Sequence, residues 1–214
     1  MQHEESGDPG DTVPAEVHSA GPRKRPKPGE RRVQILQALA TMLEQPGADR
    51  VTTASLAAKL DVSEAALYRH FASKAQMFEG LIEFIEQSVF TLVNQVTERD
   101  GTGHEQAARI ITLLVQFAEK NPGMTRVMVG DALVYENERL QSRMNQFFDK
   151  IESTLRQALR GAAAAEGSAT PTVDAQVRAA ALTAFVVGRL QRYTRSGFRR
   201  MPSEHLEASV GLML

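Results

Sequence analysis

Apolar residues recur along most of this chain with the period of a helix. From about Arg31, residues Ile35, Leu36, Leu39, Met42 and Leu43 fall at i, i+1, i+4, i+7 and i+8, one face of a helix. Pro46-Gly47 is expected to end it. A short segment follows around Leu56-Ala57-Ala58-Lys59-Leu60, and either Thr52 or Thr53 can cap its start. Asp61-Val62-Ser63 interrupts, and Ser63 caps a second short segment from Glu64 to Phe71. Ser73-Lys74-Ala75-Gln76 puts Ser at the N-cap and Gln three residues on, the spacing of a capping box. It opens a long helix over about 73–98 that carries Met77, Phe78, Leu81, Ile82, Phe84, Ile85, Val89 and Leu92.

Gly101 and Gly103 break that helix, and the next covers about 105–119 with Ile110, Ile111, Leu114 and Phe117. Asn121-Pro122-Gly123 is expected to end it, ahead of a shorter helix over about 124–135. A long helix over about 138–160 carries the stripe Leu140, Met144, Phe147, Ile151, Leu155 and Leu159. Residues 161–171 read as a loop, 172–196 as a further helix, and a short last helix begins near Ser203. There is no strand alternation and no internal repeat, so the predicted class is all-α. The stripe is longer than one short chain is expected to bury. Val177, Ala181, Ala184 and Gly188 on the following helix permit close approach. Leu140, Met144, Phe147, Ile151 and Leu155 with those four residues therefore predict a four-helix interface between two copies, a homodimer.

Composition narrows the function classes. The chain has 214 residues, 42% of them hydrophobic, enough for a real core in one domain or two small ones. It has no cysteine, which excludes a disulfide scaffold, Cys-ligated zinc and a Cys nucleophile. No apolar run approaches the ~20 residues of a membrane span. The acidic N-terminus has no apolar stretch of a secretory signal, so the cytoplasm is the default expectation. The net charge of −1 conceals an asymmetry. Residues 1–22 carry −5, residues 23–78 carry +5 and residues 79–214 carry −1. A basic segment of domain size points to a polyanionic partner for that segment alone. Residues 1–29, rich in Gly, Pro, Asp and Glu, read as a disordered tail ending in a basic arm of Arg23, Lys24, Arg25 and Lys27. A helix-turn-helix unit at 30–78 and a helical dimerisation and partner-binding domain at 79–214 complete the expected organisation.

The segment from Thr53 to Phe71 is the most informative. Two helices of about two turns are joined by a three-residue turn, with Leu56, Leu60, Val62, Leu67 and Phe71 apolar where they must meet. This is the spacing of a helix-turn-helix, whose second helix enters the DNA major groove. Asp61 occupies a turn position where Gly is common, and Asp tolerates the left-handed conformation. Ala65 and Ala66 are small enough for close approach to base edges, beside the donors Tyr68, Arg69 and His70. Thr52, Thr53 and Ser63 sit at helix starts, which favour phosphate. Arg31, Arg32 and Lys74 are expected to neutralise phosphates, and Arg69 to read a base.

Thr52-Thr53-x-x-Leu56-Ala57, Val62-Ser63-x-x-x-Leu67-Tyr68-Arg69-His70-Phe71 and Ser73-Lys74-x-x-Met77-Phe78 resemble the N-terminal domain of the TetR family. The resemblance implies an all-helical dimer in which a three-helix DNA-binding domain sits on a larger helical domain. It also implies backbone contacts from Tyr68, His70 and Lys74. Leu81-Ile-Glu-Phe-Ile-Glu86, Asn121-Pro-Gly123 with Thr125-Arg126, and Arg139-Leu-Gln141 with Arg143, Asn145 and Gln146 extend it to the nucleoid occlusion branch of that family. That branch implies binding to palindromic double-stranded DNA on the nucleoid and, once DNA-bound, contact with the C-terminal tail of the division protein FtsZ, so that the septum does not assemble there. The tail is expected between helices 73–98 and 105–119, on Phe84, Leu113, Lys120 and Asn121. No cofactor or metal is implied.

Two other readings compete. A ligand-released repressor needs an inward-facing pocket, for which Phe84, Phe117 and Tyr135 are the available aromatics. An enzyme finds little support, since there is no phosphate-binding Gly loop, HExxH or GxSxG. The five histidines are scattered, with no pair at metal-ligand spacing, and His104 and His205 read as solvated surface.

Overall fold

The computed structural model describes residues 29–45 and 51–214. The acidic segment 1–22, the basic arm at 23–27 and Pro46-Gly47 lie outside the described residues. Among the described residues there are nine α-helices, one short 3-10 turn and no strand. The order is α1 (Glu30–Leu43), α2 (Thr53–Leu60), α3 (Glu64–Tyr68), α4 (Lys74–Thr97), α5 (Gly103–Lys120) and α6 (Pro122–Met128). The 3-10 turn Asp131–Leu133 follows, then α7 (Glu138–Ala165), α8 (Pro171–Arg195) and α9 (Leu206–Gly211).

Local chemistry sets most boundaries. Thr52 is the cap of α2, its hydroxyl accepting from the Ser55 amide while the Ser55 hydroxyl accepts from the Thr52 amide. Asp61 ends α2 in the left-handed region at φ 55°, and Ser63 accepts from the Ala66 amide to start α3. Ser73 caps α4 through the Gln76 amide, but the Gln76 carboxamide reaches Ala72 N rather than Ser73 N. Thr102 and Glu105 form an unforeseen capping box that starts α5 at Gly103.

Three boundaries depart from expectation. Pro122 opens α6 from its first turn, where the missing N–H costs nothing. The helix expected to 135 stops at Met128, because Gly130 turns left-handed at φ 86° and a 3-10 turn follows. The alanine run at 162–165 stays helical as the end of α7, in keeping with the high helix propensity of Ala.

The helices share one continuous core. Ile35 and Leu39 of α1, Leu56 of α2, Leu67 and Phe71 around α3, and Phe78 of α4 close the N-terminal unit. α6 lies so close to α1 that a Cβ on Gly123 would come within 1.9 Å of the Ala40 carbonyl oxygen. α4 then runs on without a break into the body, burying Ile82, Ile85, Val89 and Val93. α7 and α8 form the largest helix pair of the body, with α5 against both.

The α7 stripe does not behave as expected. Leu140, Met144, Phe147, Ile151 and Leu155 are at most 1% exposed in the single chain, so they belong to its own core and not to an interface between copies. α4, α5 and α8 together supply enough surface to cover them. Phe147 also meets the rings of Phe90 and Phe148 edge-on, at 5.4 and 5.1 Å between centroids. Phe147→Ala is accordingly expected to cost about 3–5 kcal/mol of folding stability. Urea denaturation should register that loss, while light scattering should give the folded variant the mass of the unaltered protein.

Candidate nucleic-acid interface and partner groove

Leu67 and Phe71, one turn apart and nearly inaccessible, anchor the recognition segment, with the Phe71 ring against Arg32 of α1 and Gly80 of α4. That spacing turns Ala65, Tyr68 and Arg69 outward, and Tyr68 is 45% exposed. Ala66 and His70 are half-buried at the flank, while Thr52 and Ser63 are exposed at the starts of α2 and α3. The structure therefore brings the expected α3 residues to one surface. Thr53 is turned to another task, since its hydroxyl donates to Glu64 Oε2 at 2.5 Å and ties α2 to α3. Glu64 thus places an acid on this face, and Lys59, exposed in the last turn of α2, adds a cation. Neither was marked by a motif.

Two of the expected phosphate contacts have partners within the chain. Arg32 donates to the carbonyl of His70 and stacks 4.1 Å from the centroid of Phe71. It secures the end of the recognition segment to α1. Lys74 places Nζ 2.5 Å from Glu136 Oε1, with side chains 26% and 11% exposed, so it has an acidic partner on the α7 side of the chain. Arg31 is half-buried on α1.

The Lys74–Glu136 contact begins a ladder of charge between α4 and the α7 region. Arg139 pairs with Glu79, and Arg143 makes a two-pronged contact with Glu86 at 2.5 and 3.2 Å. Donating to the Glu86 carboxylate pushes the Arg143 guanidinium above its ordinary value.

Further along α4 a groove of about 930 Å³ opens between α4, α5 and α9. Leu113 and Lys120 line it, together with Leu92 and Gln116. Phe84 lies outside the groove itself, two turns before Leu92 on α4, and is 46% exposed. Asn121 ends α5 by donating its amide to the Phe117 carbonyl at 2.8 Å. Phe84 and Tyr135, at 46% and 71% exposure, do not face an interior pocket with Phe117. The C-terminal wall of this groove was not anticipated, because α9 reaches it only through the fold.

On α8, Val177 is 63% exposed and Ala181 and Ala184 are exposed on the same side, with Gly188 half-exposed and open space beyond its Cβ position. This small apolar face has no cover among the described residues. His104 is not solvated surface as expected. Its Nδ1 lies 3.3 Å from Glu166 and its Nε2 2.9 Å from Arg178, joining the starts of α5 and α8 to the end of α7.

Comparison with known proteins follows this division. Residues 35–81 match the model for bacterial regulatory proteins of the tetR family, and residues 104–214 match the SlmA-like model, a tetracyclin repressor-like C-terminal domain. A protein of Photobacterium profundum named nucleoid occlusion factor SlmA is 52% identical over 182 residues, 85% of this chain and 92% of that one. One of the same name from Vibrio vulnificus is 50% identical over 188 residues, 87% of this chain and 95% of that one. Among solved structures, the transcriptional regulator FadR from Bacillus subtilis, in complex with stearoyl-CoA, superposes with a TM-score of 0.68 at 13% identity, covering 85% of this chain and 96% of its own, and so shares the fold.

The internal partner of Lys74 is open to measurement. A double-mutant cycle of Lys74→Met and Glu136→Leu, read by denaturant unfolding, is expected to give a coupling of about 0.5–3 kcal/mol. Strict additivity would show that the pair contributes no coupling to the fold.

Proposed function

We infer the function of this chain from its membership: it belongs to the TetR family, in the branch defined by the SlmA-like C-terminal domain. It is a DNA-binding nucleoid occlusion factor. The observation that carries the reading is that about half of the aligned positions are shared with proteins named nucleoid occlusion factor SlmA, over 92–95% of their length. The likeness thus spans the helix-turn-helix and the body alike. A ligand-released repressor would be expected to share only the first with them.

The surface residues support a division of labour. Ala65 on α3 and Arg69 just past its end face outward and meet base edges, while Tyr68, His70 and the starts of α2 and α3 position the backbone. Arg31 and Lys59 add cationic character to the same unit, so affinity falls steeply with salt. Two copies join through the uncovered face of Val177, Ala181, Ala184 and Gly188, and the two recognition segments then read a palindrome on the nucleoid, in the cytoplasm. The bound dimer takes the C-terminal tail of FtsZ on the body, with Phe84 and Leu113 for apolar contact and Lys120 and Asn121 at the end of α5 for polar contact. FtsZ is thereby kept from assembling a septum over the DNA.

Selection of bound duplexes from a random pool, followed by an FtsZ polymerisation assay with and without the selected duplex, tests the whole reading. Arg69→Ala is expected to weaken the selected site by about 1–3 kcal/mol more than random DNA in a binding titration. Equal loss on both would remove Arg69 from base reading. Lys120→Glu is expected to abolish the effect on FtsZ with DNA affinity unchanged. An inert protein in the FtsZ assay that releases its duplex on adding a metabolite would establish a ligand-responsive repressor instead.

A further inference from the structure

We propose that the C-terminal helix α9 is the third wall of the FtsZ-tail groove and that this wall helps select an extended partner segment carrying both apolar side chains and carboxylates. The inference rests on the reading of the groove given above.

A helix of six residues has no independent stability in water. Its first residue follows His205, which sits left-handed at φ 53° and supplies no side-chain cap. α9 is nevertheless fastened from two sides. Leu206 and Val210 are buried to 7% and 3% exposure, with α5 as their neighbouring helix. From α8, Arg189 donates to the carbonyls of Pro202 and Glu204 at 3.0 and 2.6 Å and to the Ser209 hydroxyl at 3.0 Å. Its guanidinium also stacks 4.5 Å from the Phe185 ring. From α5, the Glu119 carboxylate accepts from the Ser203 amide at 2.9 Å. Charge-assisted hydrogen bonds from two helices therefore hold this short element in place.

What they hold in place is one side of the groove. Val210, Gly211 and Leu214 line it together with Leu92 of α4 and Leu113 of α5, giving it an apolar surface. Its charged lining is Arg99, Arg109 and Lys120 against the single acid Glu207. Arg109 has an exposed neighbour, Glu105, at 3.9 Å, a contact weakened by solvent. An apolar surface with a surplus of positive charge complements a chain that alternates apolar residues with carboxylates. The Gly211 backbone is helical, and a Cβ placed there meets no atom within 4 Å. A side chain at 211 therefore enters open space beside the groove without disturbing the core.

That position allows a test of sign. A labelled peptide of the FtsZ C-terminal tail is titrated against the full chain bound to its selected duplex, with anisotropy as the readout. Gly211→Glu is expected to weaken binding and Gly211→Lys to strengthen it, each by up to about fivefold at low salt, with the difference shrinking as salt rises. Both replacements raise helix propensity at 211, so α9 is retained. Glu207→Lys, at an exposed site, is expected to act like Gly211→Lys. DNA affinity is unchanged in all three. If Lys120→Glu abolishes peptide binding while all three α9 variants bind like the unaltered chain, α9 is not a wall and the groove reading stands. If the unaltered chain does not bind the peptide, the groove reading fails and the wall with it.

Discussion

α4 supplies core residues to two layers at once. Met77 and Phe78 close the N-terminal unit, and Ile82, Ile85, Val89 and Val93 enter the body, all on one unbroken helix. A helix cannot flex between two such sets of contacts without losing one of them. The recognition segment is therefore held at a set attitude to the body. The ion pairs from Lys74, Glu79 and Glu86 to Glu136, Arg139 and Arg143 act on the same stretch and resist its rotation about its own axis. Such pairs add little to net stability, because desolvation offsets much of their attraction. Their effect is on geometry, since only one rotational setting of α4 satisfies all of them.

This constraint gives the two candidate surfaces a common support. The outward face of α3 is anchored through Phe71, whose ring approaches the Cβ position of Gly80 on α4 to 3.2 Å, and Leu92 of the groove lies farther along the same helix. An adjustment that DNA imposes on the N-terminal unit would, on the proposed function, act through α4 on one side of the groove, whose other lining comes from α5 and α9. On the proposed function this is a coupling between two sites with an identifiable physical carrier. Arg32 belongs to the same system, because it fastens the end of the recognition segment to α1 through the His70 carbonyl.

Much of the fold was legible along the chain. The apolar period marked α1, α4, α5 and α7, Ser63, Ser73 and one of Thr52 and Thr53 marked three starts, and Asp61 was readable as a left-handed turn residue. These are local effects, decided by residues within one turn of each other. The helix-turn-helix was legible for the same reason, since its turn, caps and packing residues lie within Thr52 to Phe71.

What remained hidden depends on residues distant in sequence. The stripe from Leu140 to Leu155 showed that α7 buries one face, but not whether another helix of the same chain or a second copy covers it. Only the placement of α4, α5 and α8 decided that. Arg32 and Lys74 were recognisable as cations near DNA. That His70, 38 residues away, and Glu136, 62 residues away, engage them follows from packing and not from spacing. The placement of α9 beside the groove has the same origin: Arg189 and Glu119 tie the last residues to α8 and α5, and Leu206 and Val210 are buried in the body. Periodicity and capping are set by short-range sterics and hydrogen bonding, so the chain alone determines which face each helix hides. The partner for that face is chosen by close packing among all the helices together, which only the tertiary structure decides.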